Sequence, residues 1–440
     1  MLFPLHELIK RHDSTARRRA LEQSQWWPPD RIECYRLQRL REFLCTVATT
    51  VPYYEKLFRS LGFNPAGIRT VGDLSAIPLL TKAIIRSNSE ALKTRGTTRL
   101  YRSNTGGSSG EPLIFFLDKE RVSHDVAAKW RATRWWGVDI GDREVVVWGS
   151  PIELGAQDWA RSIRDLLLRS TLLPAFEMSE ENLDSFIAQI RVRRPVMLFG
   201  YPSVLAHIAR HAQRRGENLN NAGVRVAFVT SERLYPEQRN EITRTFGCPV
   251  ANGYGGRDAG NIAYECPAGG MHISAEDIIV EILDREGKSQ SPGVPGEIVV
   301  THMAGKGFPF IRYRTGDIGV LDHRVCECGR GLPLIKEIHG RTTDFVIAQN
   351  GTVMHGLALI YVVRDLPGIA KFKIVQESID QTTVLLVAES DFNHDVVERI
   401  RKGMAERLGS GVSIDVEIVD DIPSETSGKY RYVTSKVALK

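Results

Sequence analysis

The stretch Ser103-Asn104-Thr105-Gly106-Gly107-Ser108-Ser109-Gly110-Glu111-Pro112 packs hydroxyls and glycines at a density that a folding core does not use. Glycines let consecutive backbone N–H groups converge on one anion with no Cβ in the way, and Ser and Thr hydroxyls add donors that follow phosphate oxygens. The stretch therefore reads as a polyphosphate cradle built from Thr105, Gly106, Gly107, Ser108, Ser109 and Gly110. A Walker loop would place a lysine after its last glycine. Here Glu111 follows Gly110, so this is another kind of nucleotide loop. A flexible Gly/Ser linker is the competing reading. The flanks weigh against it: Thr98 to Tyr101 is β-prone and Leu113-Ile114-Phe115-Phe116-Leu117 is an apolar strand, which makes the loop a tight connection between two strands.

Working outward, the chain of 440 residues is long enough for two or three domains. With 42% hydrophobic and 25% charged residues it has the composition of a soluble globular protein. No run approaches the ~18 apolar residues that a membrane helix requires, so no membrane partner is expected. A formal charge of +5 is small for this length and does not argue for nucleic acid. Met1 to Arg19 has too short an apolar stretch for a secretory signal, and Glu7 and Asp13 weaken a transit-peptide reading, so a cytoplasmic location is expected.

The cysteines at 34, 45, 248, 266, 326 and 328 do not suggest a disulfide framework in a chain of this kind. Cys266 precedes His272 by a short turn, and Cys326-Glu327-Cys328 is a knuckle whose sulfurs can face one ion. Together they make the ligand set of a closed structural zinc site, stapling the segment near residue 270 to that near 327. Buried, metal-free thiols and imidazole are the alternative.

Periodicity divides the chain. Residues 1–95 read as a helical lead-in, with Leu37, Leu40, Phe43, Leu44 and Val47 at amphipathic spacing and a break at Pro52. From about residue 98 to 250 strands alternate with helices: Glu144 to Trp148, Val196 to Phe199 and Val224 to Val229 as buried strands, Ser179 to Arg191 and Ser203 to Arg214 as helices. That alternation implies a parallel α/β sheet. Ile278 to Leu283 and Glu297 to Thr301 read as antiparallel strands of a smaller β unit, within a zinc-stapled β region over 266–330. The expected division is an N-terminal domain over 1–340 and a mobile α+β domain over 341–440, the latter with helices at Met354 to Leu366 and His394 to Leu408 and strands at Lys371 to Val375, Thr383 to Ala388 and Ser413 to Ile418.

Further motifs follow in order. Asn252-Gly253-Tyr254-Gly255-Gly256-Arg257-Asp258 offers an aromatic face for a base, open glycines and a carboxylate suited to magnesium, although a plain Gly-rich turn would look the same. Tyr313-Arg314-Thr315-Gly316-Asp317 puts a carboxylate at a strand end, where it can accept ribose hydroxyls or simply cap a surface turn. Gly340-Arg341-Thr342-Thr343-Asp344 sits where a domain hinge would, and Ser427-Gly428-Lys429-Tyr430-Arg431 places a lysine on a Gly-containing loop or solvated tail. Trp135, Trp136, Trp148 and Tyr201 are candidates for the wall of an apolar pocket, with core filling as the alternative.

Taken together these motifs resemble the adenylate-forming superfamily of acyl-CoA synthetases, in its phenylacetate-CoA ligase-like branch with the capsular-polysaccharide relatives. The resemblance spans nearly the whole chain, and the Cys266, His272, Cys326 and Cys328 set also looks like a zinc site of that branch. It implies that a carboxylic acid, aryl or hydrophobic, attacks the α-phosphate of ATP, and that the acyl group then passes to coenzyme A. Thr105, Ser108, Ser109 and the loop glycines would hold the β- and γ-phosphates, and Asp258 magnesium. Tyr254 and Gly255 would face adenine, with Ser231, Glu232 and Arg233 at the ring's edge and Asp317 and Arg341 on the ribose. Lys429 would bridge the carboxylate and α-phosphate, withdrawing by rotation about Thr343. Trp148 and Tyr201 would line the acyl pocket.

The chain departs from the pattern at Asp258, where Glu is usual, at Glu111, where many members carry lysine, and at Thr343, where Asp or Lys is frequent. The alternatives are transfer to an amine, a sugar hydroxyl or a carrier protein, and a non-catalytic nucleotide-binding relative. The resembled branch leaves a homodimer open.

Overall fold

The computed structural model describes residues 3, 7, 10–96, 99–105, 113–148, 165, 167–174, 180–341, 345–351, 353–355, 357–364, 366–423 and 431–437. The chain forms two compact units. One runs to Thr315 and includes Gly319–Ile338; the other holds Gly316–Ile318 and, among the described residues, those of 339–423 and 431–437.

The helical lead-in forms α1 (Ser14–Ser24), α2 (Pro29–Thr50), α3 (Pro52–Leu61) and α4 (Lys82–Ser87). Pro29 and Pro52 open their helices, where a missing N–H costs nothing. The predicted stripe is the buried face of α2: Leu40, Phe43, Leu44 and Val47 pack with Tyr54 and Phe58 of α3 into one core.

β1 (Tyr101–Asn104) and β2 (Ile114–Leu117) pair antiparallel, so the Gly/Ser stretch does connect two strands. The first strand begins at Tyr101, three residues later than its β-prone signal. Then come α5 (Lys119–Trp135), β3 (Glu144–Trp148), β4 (Ser170–Pro174), α6 (Glu180–Arg193), β5 (Met197–Gly200), α7 (Pro202–Arg214), β6 (Val226–Thr230) and α8 (Pro236–Phe246). They are followed by β7 (Val250–Gly256), β8 (Gly260–Glu265), β9 (Met271–Ile273), β10 (Ile278–Leu283), β11 (Gly296–His302), β12 (Phe310–Asp322) and β13 (Leu334–Arg341).

β3 to β7 are parallel neighbours, as alternation with helices requires. The antiparallel strands do not stand apart. They continue the same sheet of 11 strands in the order β10-β11-β12-β13-β9-β8-β7-β6-β5-β3-β4. On one face of its parallel part, Leu183, Ile187, Leu205, Ile208 and Ile242 from α6, α7 and α8 form a core. On the other, Ala127, Ala128 and Ala132 of α5 pack against Met197, Val226 and Phe228. These alanines let the helix lie close to the strands.

The C-terminal unit contains β14 (Phe345–Ile347), β15 (Val353–His355), α9 (Leu357–Arg364), β16 (Ile369–Ser378), β17 (Gln381–Ala388), α10 (Asp395–Leu408), β18 (Ser413–Ile418) and β19 (Val433–Ser435). The helix expected from Met354 starts only at Leu357, because Met354 pairs with Val346 in the β14–β15 hairpin. A sheet in the order β18-β17-β16-β19 is covered by α10, whose Val396, Ile400, Met404 and Leu408 recur one turn apart. Gln376 is fully buried yet satisfied: its amide exchanges hydrogen bonds with Ile347 N–H and C=O, as a strand neighbour would.

Candidate active site and metal centre

In an open parallel sheet, ligands bind at the carboxyl edge of the strands. Register fixes who stands there: Val147 is level with Gly200, Gly200 with Val229, and Thr230 with Gly253. Trp148, Tyr201, Ser231 and Tyr254 therefore stand along the carboxyl edge of the parallel strands. Gly200 is required for this, since a Cβ there would come 2.5 Å from Val147 O. Ser231 is held at φ +72°, a left-handed conformation costing roughly 1–2 kcal/mol. Strain of this kind concentrates at functional sites. The Glu232 carboxylate next to it accepts the Ser203 N–H at 3.2 Å, at the start of α7, and the Arg233 guanidinium lies 5.3 Å from the Tyr235 ring.

The β7–β8 hairpin explains the glycines around Tyr254. A Cβ on Gly255 would lie 2.2 Å from Gly260 O, and one on Gly256 would lie 2.8 Å from Asp258 Oδ1. Half-buried Asp258 stands in the turn with its carboxylate fixed: Oδ2 accepts the Tyr313 hydroxyl at 2.6 Å and Oδ1 accepts the Ala259 N–H at 3.0 Å. Its backbone O takes a hydrogen bond from Arg121 Nη2 at 3.0 Å. Each carboxylate oxygen keeps a lone pair, so a hard cation such as magnesium fits this group.

Beneath that turn lies a cluster that sequence reasoning missed. Asp125 Oδ2 accepts Arg121 Nε at 3.0 Å, while Oδ1 stands 3.4 Å from His124 Nδ1 and 3.5 Å from His302 Nε2. Burial would raise the Asp125 carboxyl, but the Arg121 charge and the imidazole contacts hold it well below the usual range. His302 is driven down to about 3, chiefly by burial and then by Arg121. His124, Asp125 and His302 have the donors of a metal site. Their charges already balance, however, because Asp125 pairs with Arg121 and neighbouring Asp277 with Arg39. The available signal was Arg121, His124 and Asp125 at helical spacing on α5, behind its N-cap Asp118.

Thr105 closes the neck of the Gly/Ser stretch: its N–H donates to Leu113 O at 3.0 Å, and its Oγ1 accepts the Leu113 N–H at 2.9 Å. Gly106, Gly107, Ser108, Ser109, Gly110, Thr343, Lys429 and the side chain of Arg341 lie outside the described residues. Asp317 is half-buried in β12, on the Gly316–Ile318 segment of the C-terminal unit.

Of the aromatic candidates, Trp148 stacks on Tyr201 at 4.3 Å and on Phe199 at 5.8 Å. Tyr201 is buried in the core, which leaves half-buried Trp148 as the accessible member. The Lys129 ammonium lies 3.6 Å above the Phe199 ring, a cation that sequence alone could not place there. Trp135 and Trp136 face elsewhere. Trp135 stands edge-on to His272 at 5.5 Å, and Trp136 Nε1 donates to Glu265 O at 2.9 Å.

Cys266, His272, Cys326 and Cys328 converge, with their donor atoms all within 4.8 Å. Cys266 Sγ is 3.7 Å from Cys326 Sγ, and His272 Nε2 is 3.2 Å from Cys328 Sγ. A tetrahedral ion about 2.3 Å from each sulfur sets S···S near ~3.8 Å, so this donor set fits zinc. His272 Nδ1 stands 3.3 Å from Leu332 O, which orients the ring with Nε2 toward the sulfurs. As a bare thiol Cys266 is pushed up to about 12 by burial. His272 is lowered to about 4, also mainly by burial, which keeps its imidazole neutral as a ligand must be. Burial acts upward on Cys328 too, but hydrogen bonds from Arg330, Cys326 and Cys266 bring it below the usual thiol value.

The chain is similar to known proteins along most of its length. The family described as AMP-binding enzyme matches residues 105–304, and that described as CapK C-terminal domain matches 346–436. Protein CapK of Staphylococcus aureus is 25% identical over 91% of this chain and 88% of its own. Phenylacetate-coenzyme A ligase of Thermus thermophilus is 23% identical over 92% of this chain and 97% of its own. A solved 2-hydroxyisobutyryl-CoA ligase, in complex with R3-HIB-AMP, shares the fold at TM-score 0.76 and 19% identity, covering 94% of this chain and 91% of that one. The chain thus belongs to the adenylate-forming superfamily, on the branch that holds the phenylacetate-CoA ligases and CapK.

Proposed function

We propose that this enzyme activates a carboxylic acid with ATP and transfers the acyl group to a thiol, that of coenzyme A. The observation that carries the reading is Asp258: a carboxylate fixed by the Tyr313 hydroxyl and the Ala259 N–H in a turn beside the sheet's carboxyl edge, inside the stretch matched by the AMP-binding enzyme family. A carboxylate oxygen of the acid attacks the α-phosphorus, and the bond to pyrophosphate breaks. The thiol sulfur then attacks the acyl carbon, loses its proton, and AMP leaves with the electron pair.

Charge accumulates on phosphate oxygens in the first step, so donors must already be in place. Thr105 and the Gly106 to Gly110 loop supply them to the β- and γ-phosphates. Lys429 supplies a cation between the attacking carboxylate and the α-phosphate. Tyr254 and Gly255 receive adenine, edged by Ser231, Glu232 and Arg233; Asp317 and Arg341 take the ribose. Asp258 holds magnesium, which when bound offsets phosphate charge. The stack of Trp148 on Tyr201 favours an aryl or otherwise apolar acid. Residues 341–440 act as a C-terminal lid swinging about Thr343, and Cys266, His272, Cys326 and Cys328 hold a structural zinc within 266–330.

The match of residues 346–436 to the CapK C-terminal domain favours a second reading of the acceptor. The second step would then deliver the acyl group to an amine, a sugar hydroxyl or a carrier-protein thiol. Pyrophosphate–ATP exchange with pooled aryl, fatty, amino and sugar acids tests adenylation. Thioester formation with free coenzyme A then separates the acceptors, and no exchange in any pool would contradict the proposal.

A further inference from the structure

Arg330 is a buried cation for which no carboxylate partner is found among the described residues. It is 8% exposed. Its Nε donates to Gln25 Oε1 at 3.1 Å, and its guanidinium carbon lies 4.7 Å from the Trp26 ring centroid and 4.5 Å from that of Trp135. An amide and two indoles do not neutralise a guanidinium taken out of water, and an uncompensated buried charge is strongly destabilising. Among the described residues Arg330 also hydrogen-bonds to Cys328, through backbone and side chain.

We infer that Arg330 is the counter-charge of a divalent metal–thiolate centre at Cys266, His272, Cys326 and Cys328, and the pin that joins this centre to the N-terminal helices. The inference rests on the metal reading of those ligands. Three thiolates around a divalent ion leave one negative charge, and one guanidinium cancels it. The joint to the helices is built from the same groups. Gln25 Oε1 receives both Arg330 Nε and Trp135 Nε1, the latter at 2.7 Å, while the Gly331 N–H donates to Gln25 O at 3.0 Å. A Cβ on Gly331 would lie 1.9 Å from Trp27 O, so the knuckle closes directly on the corner between α1 and α2. Arg330 touches no reacting atom; it is a positioning residue.

The test uses full-length protein loaded with zinc or cobalt and competed with a chelator of known affinity. Wild type is expected to hold one divalent ion per chain and to show the visible spectrum of tetrahedral thiolate-bound cobalt. Arg330→Met should release zinc about tenfold more readily, within the usual range for a residue behind the ligands. Arg330→Lys, which keeps the charge, should stay close to wild type, and chelation should open residues 14–50 to protease. Should Arg330→Met not fold, Gln25→Glu reads the same interaction, because a carboxylate on Arg330 draws its charge from the thiolates and should weaken zinc severalfold. Zinc held as tightly by Arg330→Met, or by Gln25→Glu, as by wild type would overturn the role of Arg330 and leave the metal reading standing. A wild-type chain that takes up neither ion would overturn both.

Discussion

The Tyr313 hydroxyl is the smallest feature with a large expected effect. Asp has one methylene fewer than the Glu usual at this position, and its carboxylate is aimed by one hydroxyl at 2.6 Å. Tyr313→Phe keeps the packing and removes that donor. We expect about 1 kcal/mol of stability to be lost, about a tenfold fall in pyrophosphate exchange, and a higher magnesium concentration for half-maximal rate. A magnesium titration of the variant checks this, and an unchanged midpoint would separate Tyr313 from metal placement. Gly255→Ala should be more damaging. Its Cβ meets backbone at 2.2 Å, so the hairpin must open, and a loss of about 2 kcal/mol or more should appear in denaturant unfolding. Asp258 was legible in the sequence from its glycines. Tyr313 was read only as the residue ahead of Asp317, because its partner lies 55 residues away and no local pattern records such a contact.

At the scale of elements, α5 is tied to the sheet by charges rather than by apolar burial alone. Arg131 Nη1 donates to Glu276 Oε1 at 2.6 Å, with both side chains almost fully buried, and Ser24 joins the same oxygen. Arg131→Met should cost about 3–5 kcal/mol by stranding the Glu276 carboxylate, and adding Glu276→Gln should recover much of it. A double-mutant cycle by denaturant unfolding measures the coupling. The His302 imidazole gives this region a pH signature. Its pKa falls from the ordinary 6.5 to about 3 in the folded chain. The unfolded chain therefore takes a proton in that window which the folded chain refuses. The stability contribution is complete above about pH 6.5 and is lost as pH falls, by up to ~1.4 kcal/mol per pH unit. His302→Gln should flatten that slope in unfolding measured between about pH 6.5 and 4.5. Strands such as Glu144 to Trp148 and Ile278 to Leu283 were legible because continuous apolar runs mark buried strands. The joining of β10 to β13 onto the parallel strands was not, since pairing between distant strands leaves no periodic trace, and Met354 was read as helix because an apolar run does not announce a hairpin.

For the whole molecule, the proposed chemistry calls on two residues far apart in the chain, Asp258 and Lys429. Lys429→Ala should lower adenylation by about 100-fold or more while a supplied acyl-adenylate still goes on to thioester, since the role proposed for the lysine lies only where charge develops in the first step. Equal loss of both half-reactions would remove that assignment. The order of motifs from Thr105 to Lys429 made the family legible, whereas the substrate was not, because strand ends such as Trp148 and Tyr201 meet only in the fold. The most direct measurement is magnesium-dependent pyrophosphate–ATP exchange by wild type and Asp258→Ala across a panel of carboxylic acids. Exchange with one class of acid, lost in the variant, is the expected result. ATP bound without exchange for any acid, or exchange undiminished in Asp258→Ala, would contradict it.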